Sequence, residues 1–324
     1  MTTDSPIDTS RAIQQRTGPT FHLATRLLPP RMRDATYVVY AFLRVADEVV
    51  DDPDGPPPAE ARRRLRAIRA AALGETPTDD PVLVAFADLR TRLGIPDAEV
   101  ETFVAAMLAD TVPGGYETYE DLEGYLRGSS VAVANMMLAV FEPDDRRAAE
   151  PHARALAEAF QLTNFLRDVR EDVRDNGRVY LPRETLRRFD GRLADVEALR
   201  PAPGIERAVR HELRRAERRY RAGVAGIGLL PREVQFPVLL AAVLYAEHHR
   251  LIRGRGYDVL SSRPTLGPVR RAVVLARTWL AWRRSPDPVT VFEAVSAVPA
   301  SPVEGDRRAR RPLFARLTGW VPRP

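Results

Sequence analysis

The sequence contains no cysteine and no lysine. The absence of thiols excludes disulfides, zinc–thiolate sites and cysteine nucleophiles. All 49 basic residues are therefore arginines. Guanidinium groups bind phosphate well, which suits an anionic substrate without requiring one.

Long apolar runs are also missing. The longest, from residue 236 to residue 246, is too short to span a bilayer. The N-terminal segment MTTDSPIDTSRAIQQRTG has no apolar core of a signal peptide. A hydrophobic fraction of 44% and a charged fraction of 29% are typical of a soluble globular protein with a sizeable core. We therefore expect a cytoplasmic protein.

The chain is basic overall, with a net charge of +5 and an isoelectric point of about 9.8. A nucleic-acid-binding surface would need basic residues clustered with aromatic ones. Here the arginines are scattered and interleaved with 44 acidic residues. We therefore expect no nucleic-acid partner.

Apolar residues recur at helical spacing almost throughout the chain, and no segment alternates apolar and polar residues as a half-buried strand would. The pattern predicts an all-α fold with helices at 20–27, 31–51, 58–73, 80–93, 97–110, 118–127, 129–140, 146–175, 183–188, 203–227, 231–256 and 267–283. No loop is long enough to be a domain linker. We expect a single domain over residues 1–298 and a basic tail over residues 299–324.

A row of polar side chains follows one face of the predicted helix at 146–175. In the stretch QLTNFLRDVREDV, this row consists of Gln161, Asn164, Asp168 and Asp172. Carboxylates four residues apart on a helix repel each other, which costs roughly 0.2–0.5 kcal/mol. The row therefore raises the question of which partner compensates the repulsion.

A second row lies on the predicted helix at 31–51. In YVVYAFLRVADEVVDD, the stripe consists of Tyr37, Tyr40, Arg44, Asp47 and Asp51. Either row alone is more simply explained as a solvated face. Both helices, however, are long and apolar, and both rows add uncharged hydrogen-bonding side chains one turn before the acids, which favours a shared site.

If the two rows face each other, their carboxylates cannot all stay ionised without a cation. Mg²⁺ prefers oxygen ligands and commonly binds one or two carboxylates together with substrate phosphate oxygens. Mn²⁺ is an alternative ion that also accepts carboxylate ligands. The rows therefore predict a cavity in which Mg²⁺ links the protein to a diphosphate and acts as a Lewis acid.

Four long segments resemble signatures of the squalene/phytoene synthase family, and within it those of archaeal and actinobacterial phytoene synthases. They are FHLATRLLPPRMRDATYVVYAFLRVADEVVDD, AFQLTNFLRDVREDVRDNGRVYLP, YLRGSSVAVANMM and VLLAAVLYAEHHRLIRGRGYDVL. They follow the family's order and cover most of residues 11–298. The resemblance implies a class I isoprenoid synthase fold, a single-domain helical bundle around a central cavity. It also implies Mg²⁺-dependent, head-to-head joining of two allylic prenyl diphosphates.

The resemblance implies roles for individual residues. Positions that ligate the metal are matched by Asp47, Asp51, Asn164, Asp168 and Asp172. Positions that contact diphosphate, metal or the reacting centre are matched by Arg44, Gln161, Asn164, Arg167 and Arg263. Tyrosines near the reacting carbons are matched by Tyr40, Tyr125 and Tyr245. The four aspartates and three tyrosines are thus the expected catalytic residues.

The implied reaction is condensation of two geranylgeranyl diphosphates, through a cyclopropyl diphosphate, to phytoene without a nicotinamide cofactor. The alternative is a squalene or dehydrosqualene synthase acting on farnesyl diphosphate. Squalene formation requires hydride from NADPH, and no G-x-G-x-x-G motif follows a predicted strand. A non-catalytic scaffold is a further alternative, although all four aspartates are present. The sequence leaves the choice between monomer and homodimer open.

The C-terminal residues carry a separate pattern. In RRPLFARLTGWVPRP, one apolar helical face consists of Leu313, Phe314, Leu317, Trp320 and Val321. Arginines surround this face, as in interfacial helices that bind anionic lipid. The pattern predicts peripheral membrane contact through residues 307–324, at the inner face of the membrane. The alternative is that the short helix caps the core of the bundle.

Overall fold

The computed structural model describes residues 6–52, 55–112 and 114–300. Within these ranges the regular secondary structure is helical, apart from one isolated bridge between Gly115 and Val179. The predicted all-α fold is confirmed. The first α-helices are α1 (Pro6–Thr17), α2 (Pro19–Thr25), α3 (Pro30–Asp51), α4 (Pro58–Ala72), α5 (Pro81–Leu93), α6 (Asp97–Ala109), α7 (Tyr119–Leu126) and α8 (Ala132–Phe141). The rest are α9 (Arg146–Asn176), α10 (Arg183–Arg188), α11 (Leu193–Glu197), α12 (Pro203–Val224), α13 (Arg232–Gly254), α14 (Pro268–Arg284) and α15 (Pro288–Val295).

Every helix predicted between residues 20 and 283 is present, with ends that differ by a few residues. The tail predicted over residues 299–324, and its apolar face, lie outside the described residues from residue 301 onward. The boundary between domain and tail therefore stays a prediction. In the part of the chain that the structure describes, no helix combines the length and apolar character needed to cross a membrane.

Helices α1, α11 and α15 were not predicted. Helix α1 has no apolar stripe because its buried positions are polar: Ser10 and Gln14 are both fully buried. The Ser10 hydroxyl donates to the Pro6 carbonyl at 2.8 Å, and the Gln14 amide donates to Thr25 Oγ1 at 3.2 Å. Helix α15 is short and rich in β-branched residues, and Asp287 caps it by accepting a backbone hydrogen bond.

Helices α7 and α8 are continuous rather than separate. A π-helical turn, Arg127–Val131, joins them. Such turns are rare and often occur at functional sites. This one places Ser129 and Ser130 on the wall of the central cavity described below.

The two helices that carry the polar rows are central. Helix α3 packs against α1, α5 and α8, and α9 packs against α8, α12 and α13. Beneath α3, the fully buried rings of Phe42 and Phe86 stack with centroids 3.9 Å apart. Burial on these sides leaves the polar stripes of α3 and α9 facing the space between them.

The contact between α9 and α12 is close at Gly223. A Cβ atom added there would lie 2.6 Å from both the backbone nitrogen and the Cβ of Leu156. Because the obstacle includes backbone, a side chain at this position would push the two helices apart. Helix α12 therefore determines where α9, and its polar row, lies.

We expect Gly223→Ala to lower the free energy of unfolding by about 1–3 kcal/mol, the usual cost of overpacking. Gly124→Ala is the matched control, because Gly124 also lies in a helix and has no atom within 4 Å of an added Cβ. That change should be neutral or stabilise the protein by about 0.5–1 kcal/mol. Urea denaturation measures both, and equal stability of the two variants would contradict the close approach.

Candidate active site

Both polar rows line one cavity of about 750 Å³, except for Tyr37, which is buried and does not line it. Asp47 and Asp51 lie on α3 and Asp168 and Asp172 on α9, so the rows do face a common space. However, no three carboxylate or imidazole groups among residues 6–52, 55–112 and 114–300 lie close enough to hold a metal ion by themselves. The two rows are therefore incomplete half-sites on opposite walls.

Arginines bind three of the four aspartates. Arg178 donates to Asp51 Oδ1 at 2.9 Å, and Arg263 donates to Asp168 Oδ1 at 2.8 Å. Arg167 binds both oxygens of the adjacent Asp168, at 2.7 and 2.5 Å. Arg44 approaches Asp47 at 3.5 Å. These guanidinium groups offset part of the repulsion within the rows.

Asp172 is the one aspartate of the four without an arginine partner, since it forms no ion pair with any described residue. Burial, Asp168 and Asp51 raise the pKa of the Asp172 carboxyl to about 8. Burial and Asp51 raise the pKa of Asp47 to about 7. Because Asp51 acts on a carboxyl of each helix, the two rows are electrostatically coupled across the cavity.

Among the described residues that line the cavity, three buried polar atoms have no hydrogen-bond partner. They are Oδ1 of Asn164, one turn before Asp168, Nε of Arg44 and Oγ of Ser129. A carbonyl-type oxygen without a donor suits a hard cation, and a guanidinium N–H without an acceptor suits an anion. The donor set therefore fits a bound divalent cation together with a phosphate group. Gln161, one turn before Asn164, also lines the cavity.

The three predicted tyrosines line the same cavity at separate places. The Tyr40 hydroxyl lies 3.0 Å from Thr17 Oγ1. The Tyr245 ring packs against Phe160 and Phe21, with centroids 4.9 and 5.8 Å away. These rings give the part of the cavity near α2 and α13 an aromatic wall.

Tyr125 belongs to a second aromatic group with Tyr116, Phe165 and Tyr180. Its ring lies 5.5–6.2 Å from the other three, and Phe165 stacks on Tyr180 at 4.0 Å. The Tyr125 hydroxyl donates to Asp110 Oδ2 at 2.5 Å. Burial raises the pKa of the Asp110 carboxyl to about 6.

Asp110 and Arg178 are cavity residues that the sequence did not reveal. Arg178 is 8% exposed, and besides Asp51 it binds the backbone carbonyls of Val50 and Asp110 at 2.8 and 2.9 Å. It thus links the ends of α3 and α6 to the segment after α9. The sequence signal that could have indicated Arg178 is its position directly after Gly177, the glycine that ends the second acidic helix in a left-handed conformation.

The squalene/phytoene synthase profile matches residues 14–270 of the chain. The phytoene synthase of Cereibacter sphaeroides is 30% identical, over 98% of this chain and 95% of that protein. The phytoene synthase of Thermus thermophilus is 34% identical, over 83% of this chain and 91% of that protein. The chain belongs to the squalene/phytoene synthase family.

The fold agrees with this assignment. A crystal structure of a dehydrosqualene synthase in complex with ligand superposes with a TM-score of 0.77. The match covers 86% of this chain and 97% of that one, at 24% sequence identity. The predicted class I isoprenoid synthase fold, with its cavity between helices, is thereby confirmed.

We expect the metal-free protein to lose stability as the pH rises from about 4 to about 8. Asp172 and Asp47 hold protons more tightly when folded than at the ordinary pKa of 3.8, so ionisation above that value opposes folding. Asp172→Asn should reduce this decline and raise the melting temperature at the upper end of the range. Thermal denaturation in chelator across this range measures the effect.

Asp175→Asn is the control for that experiment. Asp175 lies three residues along the same helix, but its hydrogen bond to Arg174 lowers the pKa of its carboxyl. This variant should keep the decline of the wild type. An identical pH dependence in Asp172→Asn would contradict the electrostatic strain in the rows.

Proposed function

We propose that the chain is a phytoene synthase, a prenyltransferase that condenses two geranylgeranyl diphosphates head to head. The observation that carries the proposal is the pair of coupled acidic rows across one cavity, in a chain about 30% identical to phytoene synthases over most of its length. The cavity lining combines charged side chains with apolar and aromatic ones. An amphiphile with a diphosphate head and a prenyl tail matches both.

The residues present fit a magnesium site. Asp47, Asp51, Asn164, Asp168 and Asp172 would hold the ions together with diphosphate oxygens, and Mn²⁺ is an alternative ion. When bound, these ions neutralise the negative charge that develops on the departing diphosphate. The absence of a complete protein-only ligand group in the described ranges is consistent with substrate oxygens completing each site.

Arginines orient the diphosphates. Arg44 carries an N–H that is buried without a partner, and Arg263 is 45% exposed in its side chain where it binds Asp168. A cation on Asp168 would compete for the oxygen that now accepts from Arg263. The guanidinium would then be available for phosphate, so cation and substrate binding would reinforce each other.

The aromatic walls stabilise and protect carbocations. Tyr245, Phe160 and Tyr125 line the cavity, and the negative charge density on an aromatic face attracts a nearby cation. The apolar lining excludes water that would trap an allylic cation as an alcohol. In the first half of the reaction, the C–O bond of one substrate breaks and the double bond of the other attacks, giving a cyclopropyl diphosphate, one free diphosphate and one proton. In the second half, that intermediate loses its diphosphate, rearranges and releases a second proton.

A squalene or dehydrosqualene synthase is the second candidate. It is favoured by the superposition on a dehydrosqualene synthase, but at 24% identity this likeness concerns the fold alone. The phytoene synthases share more sequence with this chain, and we therefore place geranylgeranyl diphosphate first.

Product analysis distinguishes the candidates. Purified protein with Mg²⁺ should convert geranylgeranyl diphosphate to a C40 hydrocarbon without NADPH, because the final step is loss of a proton. Farnesyl diphosphate, with and without NADPH, is the comparison. Squalene that forms only from farnesyl diphosphate and NADPH would refute the proposal.

Asp47→Asn and Asp168→Asn should each lower kcat by on the order of a hundredfold or more, as when a group that stabilises developing charge is removed. Circular dichroism should show an intact fold, because the amide keeps the size of the carboxylate. Asp88→Asn, whose side chain is 64% exposed on α5, should retain full activity. Wild-type rates in either cavity variant would mean that the rows are ordinary polar faces.

A further inference from the structure

Helix α14 has an uncovered apolar stripe. Val269, Val273 and Leu280 are 77%, 41% and 48% exposed, and Ala276 between them is also exposed. Their spacing of three to four residues places them on one face. The opposite face is covered, because Val274 and Thr278 are buried against the bundle. The stripe is therefore a second, outward apolar face on a helix that is already anchored.

Arginines flank this stripe. The sequence of α14, PVRRAVVLARTWLAWRR, contains no acidic residue. Among the described residues Arg277, Arg283 and Arg284 form no ion pair, although thirty ion pairs occur elsewhere in the described chain. At 100° per residue, Arg277 and Arg284 lie on one side of the stripe, and Arg283 lies on the other with Trp279. Arg283 stacks over the 44% exposed Trp279 ring at 5.0 Å.

The loop before the stripe and the first turn of α14 adjoin the cavity. Arg263, Pro264, Thr265 and Leu266, in the loop that leads into α14, line the cavity wall, as does Arg271 in the first turn. Arg270 binds the buried Glu247 at 2.7 and 2.8 Å, which fixes this turn to α13. An apolar surface thus adjoins the cavity on a rigid element.

We propose that this face of α14, the α14 face, binds the surface of an anionic lipid bilayer. Apolar side chains and a tryptophan flanked by unpaired cations form the pattern of an interfacial helix. Each arginine near such a surface contributes about 1 kcal/mol of attraction. The helix lies flat on the membrane, with its apolar stripe on the lipid and the cavity-lining loop at its N-terminal end.

Charge favours lipid over two alternative occupants of the α14 face, namely the segment after residue 300 and a second copy of the chain. The segment after residue 300 is also rich in arginine, with six arginines against two acids, so like charges oppose its packing on the α14 face. A second copy would bring the same unpaired arginines into contact with each other. Anionic headgroups instead supply the negative charge that α14 lacks.

Vesicle co-sedimentation of the full-length chain, without substrate, tests this independently of the proposed reaction. We expect binding to an equimolar mixture of phosphatidylglycerol and phosphatidylcholine, and weak binding to phosphatidylcholine alone. Leu280→Asp should weaken binding by about tenfold or more, because it places a charge in the apolar contact. The control is Val84→Asp on α5, where the valine is 47% exposed, and it should bind like the wild type.

A second pair of variants tests how much the arginine charges contribute to vesicle binding. Arg277→Gln with Arg284→Gln should weaken binding by about tenfold or more. Arg63→Gln with Arg92→Gln removes the same charge from exposed sites on α4 and α5, and should have a smaller effect. Circular dichroism checks that each variant is folded.

Three results would overturn the proposal. The first is equal binding of Leu280→Asp and wild type to anionic vesicles. The second is loss of binding in Leu317→Asp, in the C-terminal segment, while Leu280→Asp still binds. The third is a wild-type dimer in light scattering that Leu280→Asp converts to monomer without any change in vesicle binding.

Discussion

The structure is organised around like charges that are held close together in a partly buried space. Asp51 raises the pKa of Asp47 on its own helix and of Asp172 on the other helix. Folding alone does not relieve this repulsion; Arg178, Arg167 and Arg263 offset part of it, and protons on the carboxyls offset more. Such a cavity favours cation binding, because a bound cation removes the repulsion between carboxylates that already destabilises the folded protein.

The arginines of the site differ in how firmly they are held. Arg178 is almost fully buried and binds two backbone carbonyls besides Asp51, so it acts as a fixed support of the site. Arg263 is exposed and binds only the side chain of Asp168, so it can exchange partners at little cost. The site therefore combines a permanent counter-charge inside the bundle with a movable one at its edge.

The polar rows were predictable because they lie on long helices. Once a helix is assigned, spacing of three and four residues puts Asp47 with Asp51, and Asn164 with Asp168, on one face. Arg178 and Asp110 were not predictable in this way. Arg178 meets Asp51 across 127 residues of sequence, and Asp110 meets Tyr125 across the end of a helix. Such pairs depend on packing between elements, which periodicity does not describe. Helix α1 escaped prediction for a related reason: its buried Ser10 and Gln14 are held by hydrogen bonds, to the Pro6 carbonyl and to Thr25 Oγ1, rather than by apolar contact.

The π-helical turn between α7 and α8 also determines how the chain can vary. A Cβ atom added at Gly128 would lie 2.6 Å from both the Thr102 carbonyl oxygen and the Ala106 Cβ, so the turn rests on the backbone of α6. Asp110 follows α6 and Tyr125 precedes the turn, so this contact sets the distance between them.

A π turn holds one residue more than an α turn. Deletion of that residue would rotate α7 by about 100° relative to α8 and carry Tyr125 out of the cavity. In distant relatives, a one-residue gap here should therefore coincide with a displaced tyrosine, and alignments that match the tyrosine alone would hide the change in register.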